Sequence, residues 1–419
     1  MGSGAYGPSG VQGQSPWPSL TPPPTPPNDA LRHVGGQRMR IGLVAVVAIT
    51  LATPFAGAVA ELAADTPHVL TLPPSNGHRL YVEDIPPAHA VDGRIHILDG
   101  DNFHVLGQLP NGFFGLMALS ADGTTLYNAT TYFARGDHGT RTDVIELFDT
   151  TTLALQGEIA LPASRVQSTA HASYMAESAG GTYLFIQGAT PASSVIVADL
   201  TQRRVLAEFP TAGCFGIYPS PVVAGRFSTL CGDGAAITVE FDTAGHETAR
   251  KRSEKLFDPE KDALFITGAT NGNTTLFLSF LGNVHQIDFS GPVATQTAPW
   301  PLVTGGDVTQ GWRPGGMEVV AYSQATGQLY VAMHAHGTEG SHKSPAEAIW
   351  RVDVASHSIK ARGPGAGATV LAVSSGPNPV LFSVDGDIAN MTRFDGDTLK
   401  QTGASNSTGV EYGETMVVR

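Results

Sequence analysis

The sequence predicts an all-β fold, a seven-bladed β-propeller with four-stranded blades, on three observations. Charged residues make up only 15% of the 419-residue chain while glycines number 49, a balance that favours short strands joined by tight turns. Seven apolar runs end in an aspartate followed by a turn, and a leucine-aromatic unit recurs between them. Two hairpins in each period of about 40–50 residues give four strands, the pattern of a propeller blade.

The aspartate unit is best developed at residues 142–162, which we interpret as one β-hairpin. Val144 and Phe148 belong to an alternating strand, and Asp149 opens a Thr-rich turn, since Asp and Thr side chains bond the backbone two residues on. The seven aspartates of this type are Asp99, Asp149, Asp199, Asp242, Asp288, Asp353 and Asp395. Their spacings of 50, 50, 43, 46, 65 and 42 residues suit blades, so we interpret them as turn residues rather than catalytic acids.

The second unit is a glycine-bearing turn followed by leucine and an aromatic residue. Its copies are Leu80-Tyr81, Leu126-Tyr127, Leu184-Phe185, Leu276-Phe277, Leu329-Tyr330 and Leu381-Phe382. Arg226-Phe227 takes this place between the third and fourth aspartates as a weaker copy. The pattern predicts a second hairpin in every period.

The longest interval, between Asp288 and Asp353, predicts additional loops rich in glycine and polar residues. His334, His336 and His342 lie in it, and a His-x-His pair on a strand directs both rings to one face, as a metal site requires. No carboxylate is tied to them by spacing. We therefore interpret them as loop hydrogen-bonding residues and predict no metal site.

The N-terminal part predicts two segments that precede the propeller. Residues 1–37 are rich in Pro, Gly and Ser and predict a disordered extension, one that is not translated if Met39 is the true start. Residues 38–60 have the form of a secretory signal peptide: Arg38 and Arg40, an apolar run over 41–51, and a small-residue cleavage site at 58–60. An uncleaved membrane anchor is the alternative. We expect residues 61–419 to form the propeller, in the periplasm and free of the membrane after cleavage.

The two cysteines, Cys214 and Cys231, flank a strand–turn–strand pattern. Two cysteines exclude a four-cysteine zinc or iron–sulfur site and permit one disulfide. In an oxidising compartment we expect the disulfide rather than two buried thiols.

Motifs for the common chemistries are missing from the sequence. The formal net charge of −13 argues against nucleic acid as a partner. The chain contains neither a G-x-S-x-G nucleophile elbow nor a Walker loop, and haem attachment would need C-x-x-C-H. We expect a scaffold without catalytic residues of its own.

Several long strings resemble the heavy chain of quinoprotein amine dehydrogenases. They are Gly311-Trp312-Arg313-Pro314-Gly315-Gly316, the following VVAYSQATGQLYVAMH, Gly340-Ser341-His342-Lys343, Gly282–Asp288, Tyr132–Arg135 with Arg141–Asp143, and Phe227–Cys231. The resemblance covers roughly residues 66–419, and its details favour the aromatic amine branch over the methylamine branch. Met317 departs from the family, which usually places an aromatic residue there.

The resemblance implies a seven-bladed propeller that pairs with a small light chain in an α2β2 tetramer. The light chain would carry tryptophan tryptophylquinone, and this chain would bind no cofactor. The complex would convert primary amines to aldehyde and ammonia and pass electrons to a cupredoxin, that is a blue copper protein, or to a c-type cytochrome. Trp312 to Gly316, His342 and Lys343 would belong to an interface or loop motif.

The resemblance also implies a gate at the substrate entrance. A Gly-Phe segment early in the family's propeller lines this entrance, and Gly112-Phe113-Phe114 occupies the matching place. Phe113 is the candidate gate and Phe114 the alternative, unless both are aromatic residues of the blade core. Two other functions stay open at this point: a stand-alone propeller that binds a protein or ligand, and a lactonase-like propeller hydrolase.

Overall fold

The computed structural model describes residues 70–386 and 389–419, and over these ranges the strands form seven antiparallel sheets arranged as propeller blades. This confirms the predicted all-β, seven-bladed architecture. The extension at 1–37 and the signal peptide at 38–60 lie outside the described residues. Each blade has four strands in its main path, and the fifth and sixth blades each have one additional short strand.

The first four blades are regular. Blade 1 consists of β30 (Gly413–Val418), β1 (Arg79–Asp84), β2 (Gly93–Asp99) and β3 (Val105–Gly112). Blade 2 consists of β4 (Leu116–Leu119), β5 (Thr125–Phe133), β6 (Arg141–Asp149) and β7 (Leu155–Ala160). Blade 3 consists of β8 (Met175–Glu177), β9 (Tyr183–Gly188), β10 (Ser194–Asp199) and β11 (Arg204–Pro210). Blade 4 consists of β12 (Cys214–Pro219), β13 (Arg226–Cys231), β14 (Ala236–Phe241) and β15 (Glu247–Arg252).

The last three blades include the irregular ones. Blade 5 consists of β16 (Ala269–Asn271), β17 (Thr274–Leu278), β18 (Asn283–Asp288), β19 (Thr295–Gln296) and β20 (Trp300–Pro301). Blade 6 consists of β21 (Arg313–Pro314), β22 (Val320–Ser323), β23 (Gln328–His334), β24 (Ala348–Asp353) and β25 (Ser358–Pro364). Blade 7 consists of β26 (Ala368–Val373), β27 (Val380–Asp385), β28 (Met391–Asp395) and β29 (Gln401–Ser405).

Helical structure in the described ranges is confined to short turns. The α-helical turn α1 spans Gly306–Thr309, and 3₁₀ turns span Pro87–Asp92, Ala172–Tyr174, Ala179–Gly181 and Ser341–Lys343. Over the same ranges, no helix is long and apolar enough to cross a membrane.

The leucine-aromatic units form the contacts between blades. Each unit lies on the second strand of its blade, where side chains point alternately to the two neighbouring blades. Tyr127 of blade 2 packs with Leu184 of blade 3, and Phe382 of blade 7 packs with Leu80 of blade 1. The core is therefore a ring of apolar layers between blades.

Blades 4 and 5 depart from this rule by one residue. Phe227 packs against Phe185 of blade 3, and so it faces the preceding blade as the leucines do elsewhere. Phe277 likewise contacts Tyr218 of blade 4 rather than the following blade. Arg226-Phe227 is thus a copy of the unit shifted by one position along the strand. Successive side chains of a strand point to opposite faces of the sheet, so a shift of one residue turns the aromatic ring towards the other neighbouring blade.

All seven repeated aspartates accept hydrogen bonds from turn amides, which confirms their interpretation as turn residues. Asp149 Oδ1 accepts the amide N–H groups of Thr151 and Thr152 at 3.0 and 2.7 Å. The equivalent amide donors to the other six are Asp101, Gln202, Ala244, Ser290, Ser356 and Thr398. The bonds from Thr152 hold the pKa of Asp149 below its ordinary value.

Strand pairing places two kinds of connection at opposite ends of the disc. The end that carries the seven aspartate turns is called the aspartate face. The other end, called the connection face, carries the links between blades and the loops between second and third strands. Phe133 opposite Arg141 and Gly93 opposite Gly112 mark it. All the predicted gate and interface residues lie at or near the connection face.

The C-terminal strand closes the ring. β30 pairs antiparallel with β1, with Leu80 opposite Val418 and Glu83 opposite Thr415. Arg79 and Arg419 exchange two backbone hydrogen bonds of 2.8 Å each. Blade 1 is therefore built from both ends of the folded chain, and closure leaves no open blade edge at the seam.

A disulfide joins Cys214 of β12 to Cys231 of β13, as predicted. The two residues lie directly opposite each other in the hairpin, and both side chains are buried. The bond closes a short loop with a sequence separation of 17.

Replacing both cysteines with alanine should lower the free energy of unfolding by about 3 kcal/mol, because the bond restricts the unfolded chain. Denaturant unfolding followed by tryptophan fluorescence measures this change. Reducing agent should shift the wild-type midpoint in the same direction and leave the double variant unchanged. Equal midpoints for both proteins would show that the disulfide does not stabilise the propeller.

Candidate functional site

The predicted gate residues Phe113 and Phe114 lie between β3 and β4, where the chain passes from blade 1 to blade 2 on the connection face. Both side chains are half-buried. The Phe113 ring packs edge-to-face against the rings of Phe114 and Phe133. The distances between ring centroids are 4.7 Å and 5.7 Å. Phe114 packs against the apolar layer between blades 2 and 3. Of the two candidates, Phe114 is thus the one that packs against the core cluster.

The backbone of this segment is tightly constrained. Gly112 has φ +58°, and a Cβ at this position would stand 2.4 Å from Thr130 Oγ1 and 2.8 Å from the Thr131 carbonyl oxygen. Phe114 also adopts a left-handed conformation, with φ +45°, which is unusual for a residue with a side chain. The Phe113 N–H donates to the Thr131 carbonyl at 2.9 Å. The segment therefore lies directly against the second strand of blade 2.

Arg165 contacts the same segment from the link between blades 2 and 3. Its side chain is fully buried. Nη1 donates to the Phe114 carbonyl at 2.6 Å, and Nη2 donates to the Phe113 carbonyl at 3.0 Å and to Thr131 Oγ1 at 2.6 Å. Burial lowers the pKa of Arg165 to about 10, although Asp143 opposes this, so the guanidinium is charged at neutral pH. Arg165 was not among the predicted site residues, because nothing in its local sequence pattern marks it.

Three buried glutamates meet near the axis of the disc at the connection face. Glu83 lies on β1, Glu318 lies two residues before β22, and Glu414 lies on β30. Glu83 accepts from Thr415 Oγ1 at 2.8 Å and from Asn111 Nδ2 at 3.2 Å. Asn111 immediately precedes the gate segment, which is thereby joined to this carboxylate group.

The other two glutamates hold the link between blades 2 and 3. Glu318 Oε1 accepts from the Ala172 N–H at 3.1 Å and from Thr267 Oγ1 at 3.1 Å, and it lies 3.3 Å from His171 Nδ1. Glu414 accepts from the Ala170 N–H. The link that carries Arg165 is therefore tied to blades 5, 6 and 1, across the axis of the disc.

The environment raises the pKa of two of these carboxyls, those of Glu83 and Glu414, above the ordinary value. Burial raises the pKa of Glu83 to about 7, against the hydrogen bonds from Thr415 and Asn111. Burial also raises the pKa of Glu414 to about 8; the bond from Ala170 lowers it, and the nearby Glu83 adds to the increase. The pair thus titrates near neutral pH.

The motif predicted to belong to an interface or loop, residues 312–316, lies at the connection face of blade 6, where Arg313 pairs with His334 at the end of β23. The centroid of the Trp312 ring lies 5.4 Å from that of Trp350, and the Arg362 guanidinium lies 4.0 Å from the centroid of the Trp350 ring. Arg362 in turn makes two hydrogen bonds of 2.9 and 2.6 Å to Asp307 in α1. Arg313 and Pro314 form β21 against β23. The motif is thus anchored by aromatic and ionic packing.

The structure brings this motif together with His342 and Lys343. The Gly316 N–H donates to the His342 carbonyl at 2.9 Å. Gly316 has φ +134°, and a Cβ there would stand 2.6 Å from the Thr369 carbonyl oxygen, so the close approach requires glycine. Both parts line a cavity of about 400 Å³, whose other lining residues include His171, Lys261, Phe265, Phe280 and Met317. Phe113 and Phe114 do not line it.

The three histidines of the long interval do not converge on a metal. His334 is buried, with Nδ1 3.1 Å from the Ala335 carbonyl and Nε2 3.4 Å from Ser341 Oγ, which agrees with the loop hydrogen bonding predicted for it. The His342 side chain is exposed. Among residues 70–386 and 389–419, no group of three or more His, Cys, Asp or Glu side chains is arranged to hold a metal ion.

Comparison with known proteins identifies the relatives of this chain. The family model for the methylamine dehydrogenase heavy chain matches residues 76–417. The methylamine dehydrogenase heavy chain of Methylobacillus flagellatus is 26% identical over 340 residues, which cover 80% of this chain and 84% of the relative. The heavy chain of Paracoccus versutus is 30% identical over 273 residues, covering 64% and 62%.

A similarity to solved structures concerns the fold alone. A candidate 6-phosphogluconolactonase from Bacteroides fragilis superposes with a TM-score of 0.53 at 11% identity, covering 83% of this chain and all of the other. At this sequence identity, the structural similarity supports the propeller fold and indicates no activity.

Glu414→Gln should flatten the pH dependence of stability. The carboxyl pKa rises from 4.5 in the unfolded chain to about 8 in the folded one, so its stabilising contribution is complete below about pH 4.5 and is lost as the pH rises through 8. Between about pH 5 and pH 8, the wild-type protein should lose on the order of 3 kcal/mol more stability than the variant. Denaturant unfolding at both pH values measures the difference.

Glu411→Gln provides the control, because Glu411 is exposed and lies on the same segment. It should leave the pH dependence of the wild-type protein unchanged. An equal pH dependence in the wild type and in Glu414→Gln would contradict the assigned environment.

Proposed function

Because the chain belongs to the methylamine dehydrogenase heavy chain family, we propose that it is the large subunit of an amine dehydrogenase that converts primary amines to aldehyde and ammonia. The observation that carries the proposal is the family match over residues 76–417, which includes nearly all of the described propeller. The chain acts in this complex as a scaffold and a substrate filter.

The partner is a small light chain in an α2β2 tetramer. It carries tryptophan tryptophylquinone, and that quinone supplies the two-electron oxidation of the amine. Electrons leave to a cupredoxin or a c-type cytochrome. The tryptophans of the described heavy chain fit a packing role: Trp300 stacks on His357 at 4.3 Å, and Trp350 lies between Trp312 and Arg362.

The complex works in the periplasm after export by the signal peptide at residues 38–60. The disulfide between Cys214 and Cys231 supports this location, because such bonds persist in oxidising compartments.

The light chain docks on the connection face of the disc. This face carries the Phe113 segment, the motif at residues 311–316, and His342 and Lys343, whereas the aspartate face repeats the same short turn seven times. Variable connections on a rigid scaffold are where proteins usually build binding surfaces. A gate at Phe113 also requires the quinone subunit to lie at this end.

Phe113 filters the amine by its size. Its ring is half-buried beside Phe114 and Phe133, and the backbone beneath it is bonded to Thr131. A fixed aromatic wall orients the apolar part of an amine and excludes water from it. The net charge of −13 attracts the protonated form in which primary amines diffuse at neutral pH.

Co-purification tests the assembly. The full-length chain is tagged at its C-terminus and produced from its native genomic context. It should then co-purify from the periplasmic fraction with a small coloured subunit that has the absorbance of a quinone. A colourless monomer would instead support a stand-alone propeller. Ester or lactone hydrolysis by the chain alone would support a hydrolase.

Phe113→Ala should change the amine preference of the purified complex while the tetramer stays intact. Removing the ring widens the entrance, so kcat/KM for an aromatic amine relative to methylamine should change by roughly tenfold, the effect of about 1.4 kcal/mol in a binding pocket. Steady-state kinetics with both amines measures the ratio and also tells which branch of the family the enzyme follows.

Phe257→Ala is the matched control, a half-buried phenylalanine of the chain that lies away from the gate. Phe114→Ala separates the two candidates, and its expected effect is on stability, since Phe114 packs into the layer between blades 2 and 3. Unchanged preference in Phe113→Ala would remove Phe113 from the substrate path.

A further inference from the structure

We propose that Arg165 is the positioning residue of the amine gate: its guanidinium fixes the Phe113 and Phe114 carbonyls and so determines where the Phe113 ring stands. This inference rests on the proposed role of Phe113. Arg165 touches no substrate in it and acts only through the backbone of the gate.

The first support is the direction of its hydrogen bonds. The guanidinium makes four hydrogen bonds, and three of them go to the carbonyls of Phe113, Phe114 and Val166, at 3.0, 2.6 and 2.8 Å. The fourth, of 2.6 Å, goes to the hydroxyl of Thr131, whose carbonyl binds the Phe113 N–H. Arg165 thus holds both sides of the contact between the gate and blade 2.

The second support is that the ion pair with Asp143 does not explain the burial of Arg165. Asp143 already accepts two hydrogen bonds from Arg141, at 2.7 and 2.8 Å, and one of 2.5 Å from Thr131 Oγ1. Arg165 Nε lies 3.8 Å from this carboxylate, and it is a buried donor without a hydrogen-bond partner in the described structure. Burying a guanidinium costs free energy that such a loose pair offsets poorly, so the carbonyl contacts are its main interactions.

The third support is that the gate backbone needs an external partner. Phe114 is held at φ +45°, a conformation that costs on the order of 1–2 kcal/mol for a residue with a side chain. Over residues 70–386 and 389–419, Arg165 is the only hydrogen-bond donor found at the two gate carbonyls. Without it, two carbonyls at a buried site lose their partner, and the segment can relax away from the left-handed conformation.

The link that carries Arg165 is itself anchored on the far side of the disc. The Ala170 N–H donates to Glu414 of blade 1, and the Ala172 N–H donates to Glu318 beside blade 6. A displacement of the gate would therefore require movement of a segment held by residues of blade 1 and beside blade 6. This makes Arg165 a rigid support rather than a mobile clamp.

The test is Arg165→Lys in the assembled complex with its light chain. Lysine retains the charge, but one ammonium group cannot bind the two carbonyls in the planar geometry of a guanidinium. The ratio of KM for an aromatic amine to KM for methylamine should change by roughly tenfold, the effect expected from one lost charge-assisted hydrogen bond. The kcat for methylamine should stay unchanged, because the reacting groups belong to the light chain.

A second readout does not depend on activity. Hydrogen exchange of the peptide that contains Phe113 should be faster in Arg165→Lys than in the wild type, because the amide bonded to Thr131 opens more often. Peptides of blades 4 and 5 should exchange at the wild-type rate. Wild-type exchange at Phe113 would overturn the proposal.

Arg226→Lys is the matched control. Arg226 also binds a carboxylate and a backbone carbonyl, Glu240 at 3.0 Å and Ser290 at 2.6 Å, but near the aspartate face. It should leave the KM ratio and the exchange of the gate peptide unchanged. A similar shift in both variants would mean that any lost arginine loosens the propeller, which would overturn the assignment.

The Phe113→Ala background separates this inference from the proposed function. If Arg165 acts through the Phe113 ring, Arg165→Lys has no further effect on the KM ratio once that ring is gone. A changed ratio in Phe113→Ala together with an unchanged ratio in Arg165→Lys would overturn the inference alone. No change in either would overturn the gate itself.

A milder pair of variants decides the matter if Arg165→Lys fails to assemble. Thr131→Val removes the hydroxyl that orients Nη2, whereas Thr131→Ser retains it. The valine variant should shift the KM ratio in the direction of Phe113→Ala and the serine variant should not. Equal ratios in the two would overturn the proposal.

Discussion

The antiparallel pairing of β30 with β1 is the interaction on which the rest of the structure depends. A propeller has no single core: its apolar layers lie between neighbouring blades, so each blade is stabilised only when both of its faces are covered. Pairing the last strand with the first covers the seam between blades 1 and 7, where Leu80 packs with Phe382. The same pairing sets Glu414 beside Glu83 at the axis, and so it shapes the site as well as the disc.

A few contacts connect this seam to the proposed gate at Phe113. Glu83 binds Asn111, which precedes Phe113, while Glu414 binds the link that carries Arg165. The gate segment is thus held from blade 1 on one side and from the link between blades 2 and 3 on the other. The proposed role as a substrate wall in a complex needs such rigidity, because a displaced wall would lose its selectivity.

The two faces of the disc divide the work. The aspartate face repeats one local solution seven times, an aspartate that accepts turn amides, and this needs no contact from outside the turn. The connection face differs from blade to blade and carries the buried Glu83, Glu414 and Arg165 together with the cavity beside Gly316. Variable connections over fixed strands are where proteins usually build binding surfaces, which supports the docking proposed for this face.

The sequence by itself determined the features that depend on neighbours along the chain. Asp149 and its turn, the hairpin joined by Cys214 and Cys231, and the seven periods follow from residues a few positions apart or from a regular repeat, and the structure confirmed each of them. The Gly-Phe segment was found by resemblance, and its role stays a proposal.

Only the tertiary structure decided what depends on the closed ring. The one-residue offset of Phe227 is set by packing against Phe185, which a weak local copy cannot reveal. Arg165 has no pattern of its own, since its partners Phe113 and Phe114 lie about fifty positions away. Glu83 and Glu414 stand at opposite ends of the propeller sequence and meet because closure joins those ends. Contacts of this kind are made across the folded disc, and so no local pattern in the chain could predict them.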